Sequence, residues 1–167
     1  MKLFNALNKQ WCNMALKFDN IAFACFSVPF IVDRLTKYFV MTKLWSSQTI
    51  NQFFNIYVTH NQGIAWGLGH QLDETYVYFL TLLIVSALLY FIWYTTSIAH
   101  HQGMLRSCMF IIAGGISNLC DRLWYGSVID FIQLHAGDWY FPVFNAADVS
   151  ITVGAFFLIY FALFDEA

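Results

Sequence analysis

Gly114-Gly115-Ile116-Ser117-Asn118-Leu119-Cys120-Asp121-Arg122, then Gly126-Ser127-Val128-Ile129-Asp130-Phe131, then Phe141-Pro142-Val143-Phe144-Asn145-Ala146-Ala147-Asp148: this stretch decides how the chain is read. Three aspartates and two asparagines sit among aliphatic and aromatic residues. Asp121 has Arg122 beside it, whereas Asp130 and Asp148 have no basic neighbour in sequence. A carboxylate in apolar surroundings is costly unless it is paired, protonated or used. Two such residues point to a pair brought together by the fold. Close carboxylates share one proton, so one acts as acid and the other as base. That is aspartyl-protease chemistry. The structural alternative stays open at each position taken alone: Asp148 caps the following helix, and Asp130 is a loop aspartate. Both together, in a chain so poor in charge, favour the functional reading.

Outward from there, composition sets the class. Of 167 residues, 59% are hydrophobic and 11% charged, against roughly a quarter charged in soluble domains. So much apolar surface in a chain of one domain's length needs lipid around it. The 18 Phe, 9 Tyr and 6 Trp include many rings suited to a membrane–water boundary. A net charge of −2 argues against nucleic acid, which wants a basic face. Cys12, Cys25, Cys108 and Cys120 form no CxxC pair, so neither a zinc site nor a redox motif is supported. His100-His101 lacks metal-site spacing. No cleavable signal peptide is expected, because the first apolar run begins near Ile21 and has no small-residue cleavage motif before Asp33-Arg34.

The apolar runs predict four transmembrane helices, over about 21–41, 75–94, 104–121 and 147–164, since a crossing takes about 20 residues. The segment before Ile21 reads as a short interfacial helix. The first crossing extends through Asp33-Arg34-Leu35-Thr36-Lys37 and contains Pro29. Asp33 and Lys37 are four apart and share a helix face. They form an ion pair at the membrane edge or lie beside the active site. Residues of about 45–70 are not a span. Phe53 to Thr59 reads as strand and His60-Asn61-Gln62-Gly63 as turn. Asn61 either meets a substrate backbone or only shapes that turn. Asp121 and Arg122 read as a local pair, Trp124-Tyr125-Gly126 as a turn, and Val128 to Leu134 as a short strand or helix. Four crossings place both termini on one side, and the basic residues slightly favour the inside.

These residues also resemble a known family. Asn118-x-x-Asp121-Arg122, Val128-x-Asp130-Phe131 and Gly137-Asp138 through Asn145-x-Ala147-Asp148 follow the pattern of the bacterial lipoprotein signal peptidases, or signal peptidase II. Asp33-x-x-Thr36-Lys37 and Asn61-x-Gly63-x-Ala65 match it as well, with Trp66 in place of the usual phenylalanine. The resemblance implies an all-α membrane protein in a single integral membrane domain, residues 1–167. Its four transmembrane helices would carry a small β-rich extramembrane element and a short loop or helix on the periplasmic face. It implies an aspartyl endopeptidase of the bacterial inner membrane. The enzyme would remove signal peptides from diacylglyceryl-modified prolipoproteins, just before the lipidated cysteine. Asp130 and Asp148 would be the catalytic dyad. Asn61, Gly63, Asn118, Arg122, Asn145, Asp33 and Lys37 would support it or hold substrate. The termini would be cytoplasmic and the dyad periplasmic. No metal or organic cofactor is needed, and a monomer in contact with membrane lipids is expected. The alternative from another class is a small transporter subunit or lipid-binding module that uses its intramembrane charges.

Overall fold

The structure is a computed structural model that describes residues 19–43, 48–63, 74–98 and 101–164. The expected interfacial helix before Asp19, His100, and the Ala65–Trp66 part of the family pattern lie outside the described residues.

Helix α1 spans Asn20–Lys43 and runs through Pro29. Asp19 starts it: one carboxylate oxygen accepts the Ala22 N–H at 2.6 Å, as N-cap residues do, and the other pairs with Arg106. The Ala22 amide and then Arg106 hold the Asp19 carboxyl below the usual range. Helices α2 (Glu74–Ile98), α3 (Gln102–Tyr125) and α4 (Ala146–Phe164) follow. Val77–Ile98, Gln102–Tyr125 and Ala146–Phe164 are long and apolar enough to cross a membrane, by length and composition. Helix α1, with 24 residues, has the length but carries Asp33, Arg34 and Lys37. Trp124 and Tyr125 belong to the last turn of α3 rather than to a loop. The helix stops at Gly126, whose φ of 68° is left-handed, with its N–H on the Arg122 carbonyl. Glycine takes that conformation without Cβ strain.

Strands β1 (Gln48–Asn51), β2 (Phe54–Asn61), β3 (Val128–Ala136) and β4 (Trp139–Tyr140) form one antiparallel sheet in the order β1-β2-β3-β4. The β-rich element is therefore not confined to the segment between α1 and α2. Half of it comes from the segment between α3 and α4, where Val128 to Ala136 is strand. Its β-branched residues suit a strand, and pairing with β2 settles what local sequence left open. Ile132 and Phe144 add an isolated bridge, so the chain leading into α4 also follows β3.

Helix α3 is the centre, touched by α1, α2 and α4. Small residues bring α4 close. A Cβ on Gly114 would lie 2.4 Å from the Ala147 carbonyl oxygen, and one on Gly154 2.7 Å from that of Ser107. Ser150 Oγ donates to the Phe110 carbonyl at 2.8 Å. The outer faces of α1, α2 and α4 expose Phe23, Leu35, Leu82, Leu89, Phe156 and Leu163.

Candidate active site

The β2–β3 register places Thr59 opposite Asp130 and Asn61 opposite Val128. Side chains two apart share a face, so Asn61 sits diagonally across from Asp130. Its Nδ2 donates to Asp130 Oδ2 at 2.9 Å. A one-residue slip would turn Asp130 to the opposite face. Phe144 bonds back to β3, donating to the Ile132 carbonyl and accepting from the Phe131 and Ile132 N–H groups. Asn145, one residue on, thereby reaches Asp130: its Nδ2 donates to Oδ1 at 2.7 Å.

Asp148 comes from the other side, in the first turn of α4. Its Oδ2 accepts the Asn145 backbone N–H at 3.1 Å, while Asn145 Oδ1 accepts the Asp148 N–H at 2.9 Å. This reciprocal pair is a capping box. The capping role open in the sequence is thus met, with Asp148 Oδ1 still directed at another partner. Asn118 Nδ2 donates to it at 2.9 Å. Each oxygen of Asp130 and Asp148 therefore accepts one N–H, and a carboxylate oxygen can accept more than one.

The asparagine orientations follow from their second contacts. Asn61 Oδ1 accepts the Gly63 N–H at 3.0 Å. Asn145 Oδ1 is held by a backbone N–H, and Asn118 Oδ1 by the Lys37 ammonium at 2.9 Å. None of these donors can accept a hydrogen bond, so each amide must present its NH2 to a carboxylate.

Behind the pair lies a buried ionic cluster. Lys37 Nζ is 2.8 Å from Asp33 Oδ2 and 2.7 Å from Asp121 Oδ2. Asp33, Lys37 and Asp121 are 0%, 1% and 0% exposed, and none of them lines the cavity over the pair. Asp33 Oδ1 also accepts the Ala147 N–H at 2.8 Å, and Ser117 Oγ donates to Oδ2 at 2.7 Å. Asp121 accepts the Ile129 N–H at 3.2 Å and pairs with Arg34, whose guanidinium lies 5.6 Å from the Trp124 ring centre. The expected local pair of Asp121 with Arg122 is replaced by these partners. Arg122 instead donates to the Gly63 carbonyl at 2.9 Å. One helical turn beyond Asn118, it shares that side of α3. With its N–H on Asn61 and its carbonyl on Arg122, Gly63 holds the turn after β2.

A cavity of about 760 Å³ opens over the pair. Asn61, Asn118, Arg122, Asp130 and Asp148 supply its polar wall, and Leu134, Phe141 to Phe144, Val149, Ile151 and Val153 much of the apolar remainder. Asn145, fully buried, stands behind both carboxylates. Burial pushes the Asp130 carboxyl up to about 6, opposed by the Asn61 amide and assisted by the Asp148 charge. His135 stacks on Tyr140 with ring centres 5.3 Å apart, on the far hairpin. Arg34, Ser117 and the apolar 141–144 wall were not legible as site components. Only the helical spacing of Arg34, three before Lys37, hinted at the first.

Comparison with known proteins gives one consistent result. The sequence profile of the family described as "Signal peptidase (SPase) II" matches residues 25–164. The protein named lipoprotein signal peptidase in Burkholderia multivorans is 35% identical over 135 residues, covering 80% of this chain and 81% of that protein. Its namesake in Anaplasma phagocytophilum is 38% identical over 132 residues, covering 76% and 81%. A solved structure described as a bacterial membrane enzyme superposes with a TM-score of 0.71 at 32% identity, covering 89% of this chain and 90% of the other.

Proposed function

The chain belongs to the signal peptidase II family, and from that premise we propose that it removes signal peptides from diacylglyceryl-modified prolipoproteins by aspartyl chemistry. The observation that carries the mechanism is the convergence of Asp130 and Asp148 on one cavity, each held by amide donors from both sides. One carboxylate takes a proton from a water as its oxygen attacks the scissile carbonyl carbon. The other, protonated, hydrogen-bonds the carbonyl oxygen as charge develops there. Collapse breaks the C–N bond, and the leaving amine takes a proton from the dyad.

The raised Asp130 carboxyl suits a pair that must hold one proton between two groups. Asn61, Asn118 and Asn145 orient the carboxylates. Arg122 lines the cavity, and in this reading its guanidinium donates to the substrate backbone. The apolar wall takes the lipid-bearing or signal-segment side of the substrate, which arrives from the bilayer. A bilayer-borne substrate calls for a site at the membrane boundary. The reading therefore has α1 as the fourth crossing, one integral domain, both termini cytoplasmic and the sheet on the periplasmic face of the inner membrane. It takes the protein as a monomer. Of the charges that a transporter would use, Asp33 and Asp121 are paired with Lys37, and Arg122 is bound to the Gly63 carbonyl.

The test compares purified wild type, Asp130→Asn and Asp148→Asn on a diacylglyceryl-modified prolipoprotein, with folding checked for all three. Wild type cuts, and each substitution lowers the rate by about a thousandfold or more, as for the loss of an essential acid–base group. Cleavage by either variant at near wild-type rate would make that aspartate structural and end the dyad reading.

A further inference from the structure

We propose that Lys37 is the positioning residue of the dyad: a single buried ammonium whose three N–H groups fix Asp148, the first turn of α4 and the start of β3. The proposal rests on the dyad reading and adds the device that holds the two carboxylates in register.

The geometry is a hub with three arms. The first runs from Lys37 Nζ to Asn118 Oδ1 at 2.9 Å, and from Asn118 Nδ2 to Asp148 Oδ1 at 2.9 Å. The second runs to Asp33 at 2.8 Å, whose other oxygen accepts the Ala147 N–H at 2.8 Å. The third runs to Asp121 at 2.7 Å, whose same oxygen accepts the Ile129 N–H at 3.2 Å. Ala147 precedes Asp148, and Ile129 precedes Asp130. One atom on α1 thereby references both halves of a pair carried by β3 and α4, which belong to different elements and are 18 positions apart in sequence (148 − 130).

An ammonium has three donors in tetrahedral array and no acceptor, so all three arms are filled and none remains for substrate. The 1% exposure of Lys37 agrees. Stability is a poor explanation for such a cluster, because the desolvation of buried ions offsets most of their attraction. Placement of groups that catalysis needs within a fraction of an ångström is a better one.

The test uses the full chain in detergent or bilayer, the lipidated prolipoprotein, and three variants: Lys37→Met, Lys37→Arg and the charge-balanced Asp33→Asn/Lys37→Met. Melting temperature, kcat, KM and the pH profile are read for each. The proposal expects Lys37→Met to lower kcat about a hundredfold with KM changed by no more than about threefold, the signature of lost alignment rather than lost binding. Its acidic limb moves up by about one pH unit, because one cation facing the pair is gone. The remaining charges around the pair are Asp33 and Arg34 from α1 and Asp121 and Arg122 from α3, while β2 contributes the neutral Asn61. Lys37→Arg keeps the charge and the limb but loses about tenfold in kcat, since a planar fork cannot serve three tetrahedral arms. Rates are divided by the folded fraction measured at each pH, so the limb is readable in a weakened preparation.

A folded Lys37→Met with near wild-type kcat overturns the proposal. So does a raised KM at unchanged kcat, which makes Lys37 a substrate contact. Failure of all three variants to fold also overturns it, leaving Lys37 a structural ion only. Asp130→Asn and Asp148→Asn are run alongside. If they cut, the dyad reading fails whatever Lys37 does. If they are dead while Lys37→Met is active, only the present inference fails.

Discussion

Asn145 and Asp148 hold each other twice: Asn145 Oδ1 accepts the Asp148 N–H at 2.9 Å, and Asp148 Oδ2 accepts the Asn145 N–H at 3.1 Å. A helix cap and a proposed catalytic carboxylate are thus one unit. The amide that closes the cap also donates to Asp130. Helix start and dyad spacing are coupled through a single side chain.

Asn145→Ser separates the two roles. Serine is a good N-cap, so the melting temperature should fall far less than in Asn145→Ala, where the lost cap costs about 0.5–2 kcal/mol. Activity should drop in both, because neither supplies the amide to Asp130. Thermal melts beside cleavage rates check this. Recovery of activity in the serine variant would show that the Asn145–Asp130 contact is dispensable.

Gly114→Ala places a methyl 2.4 Å from the Ala147 carbonyl, which is backbone and cannot turn aside. Helix α4 must shift, carrying Asp148 with it. The expected loss is about 1–3 kcal/mol of stability, with a fall in kcat. Gly115→Ala meets the Leu88 side chain, its Cδ2 nearest at 2.7 Å, and a leucine tip can re-orient, so its effect is smaller. Equal effects from the two would mean that α4 placement does not govern catalysis.

The Asp130 carboxyl, at about 6 folded against 3.8 unfolded, binds its proton more tightly in the native state. Its contribution to stability is full below about pH 3.8 and is lost as pH rises through about 6. Between those limits wild type should lose on the order of 2–3 kcal/mol relative to Asp130→Asn. Melting curves of both proteins across pH 4–7.5, at about half-unit steps, measure the difference. A constant gap across that range would remove the buried, proton-holding Asp130.

The two ionic clusters should respond unequally. Arg106→Gln breaks a pair with Asp19 in which both side chains are about one-third exposed, and the cost should be close to nil, as for most solvent-exposed pairs. Asp121→Ala strips a fully buried partner from Lys37 and Arg34. It should cost about 3–5 kcal/mol or prevent folding. Chemical or thermal unfolding in one detergent ranks the two, and comparable losses would contradict the burial contrast.

Much of the architecture was legible because it is local. Long apolar runs mark helices whose outer faces the fold leaves bare, and Asp33 and Lys37 four apart announced their own ion pair. Asp130 and Asp148 stood out because unpaired acids are rare in apolar sequence. Long-range pairing was not legible. A local pattern carries periodicity, but not which strand lies beside Val128–Ala136 or which cation reaches Asp121. Arg122 is adjacent to Asp121 in sequence, yet adjacent helical residues point apart. Lys37, 84 positions away (121 − 37), takes its place because α1 packs on α3. By itself, then, the sequence determined the long apolar helices, the strand that becomes β2 and the candidate acids, since propensity and burial cost act residue by residue. Only the tertiary structure decided the register, the asparagine orientations and the Lys37 hub, since a hydrogen bond between distant segments exists only after packing has brought them within 3 Å or so.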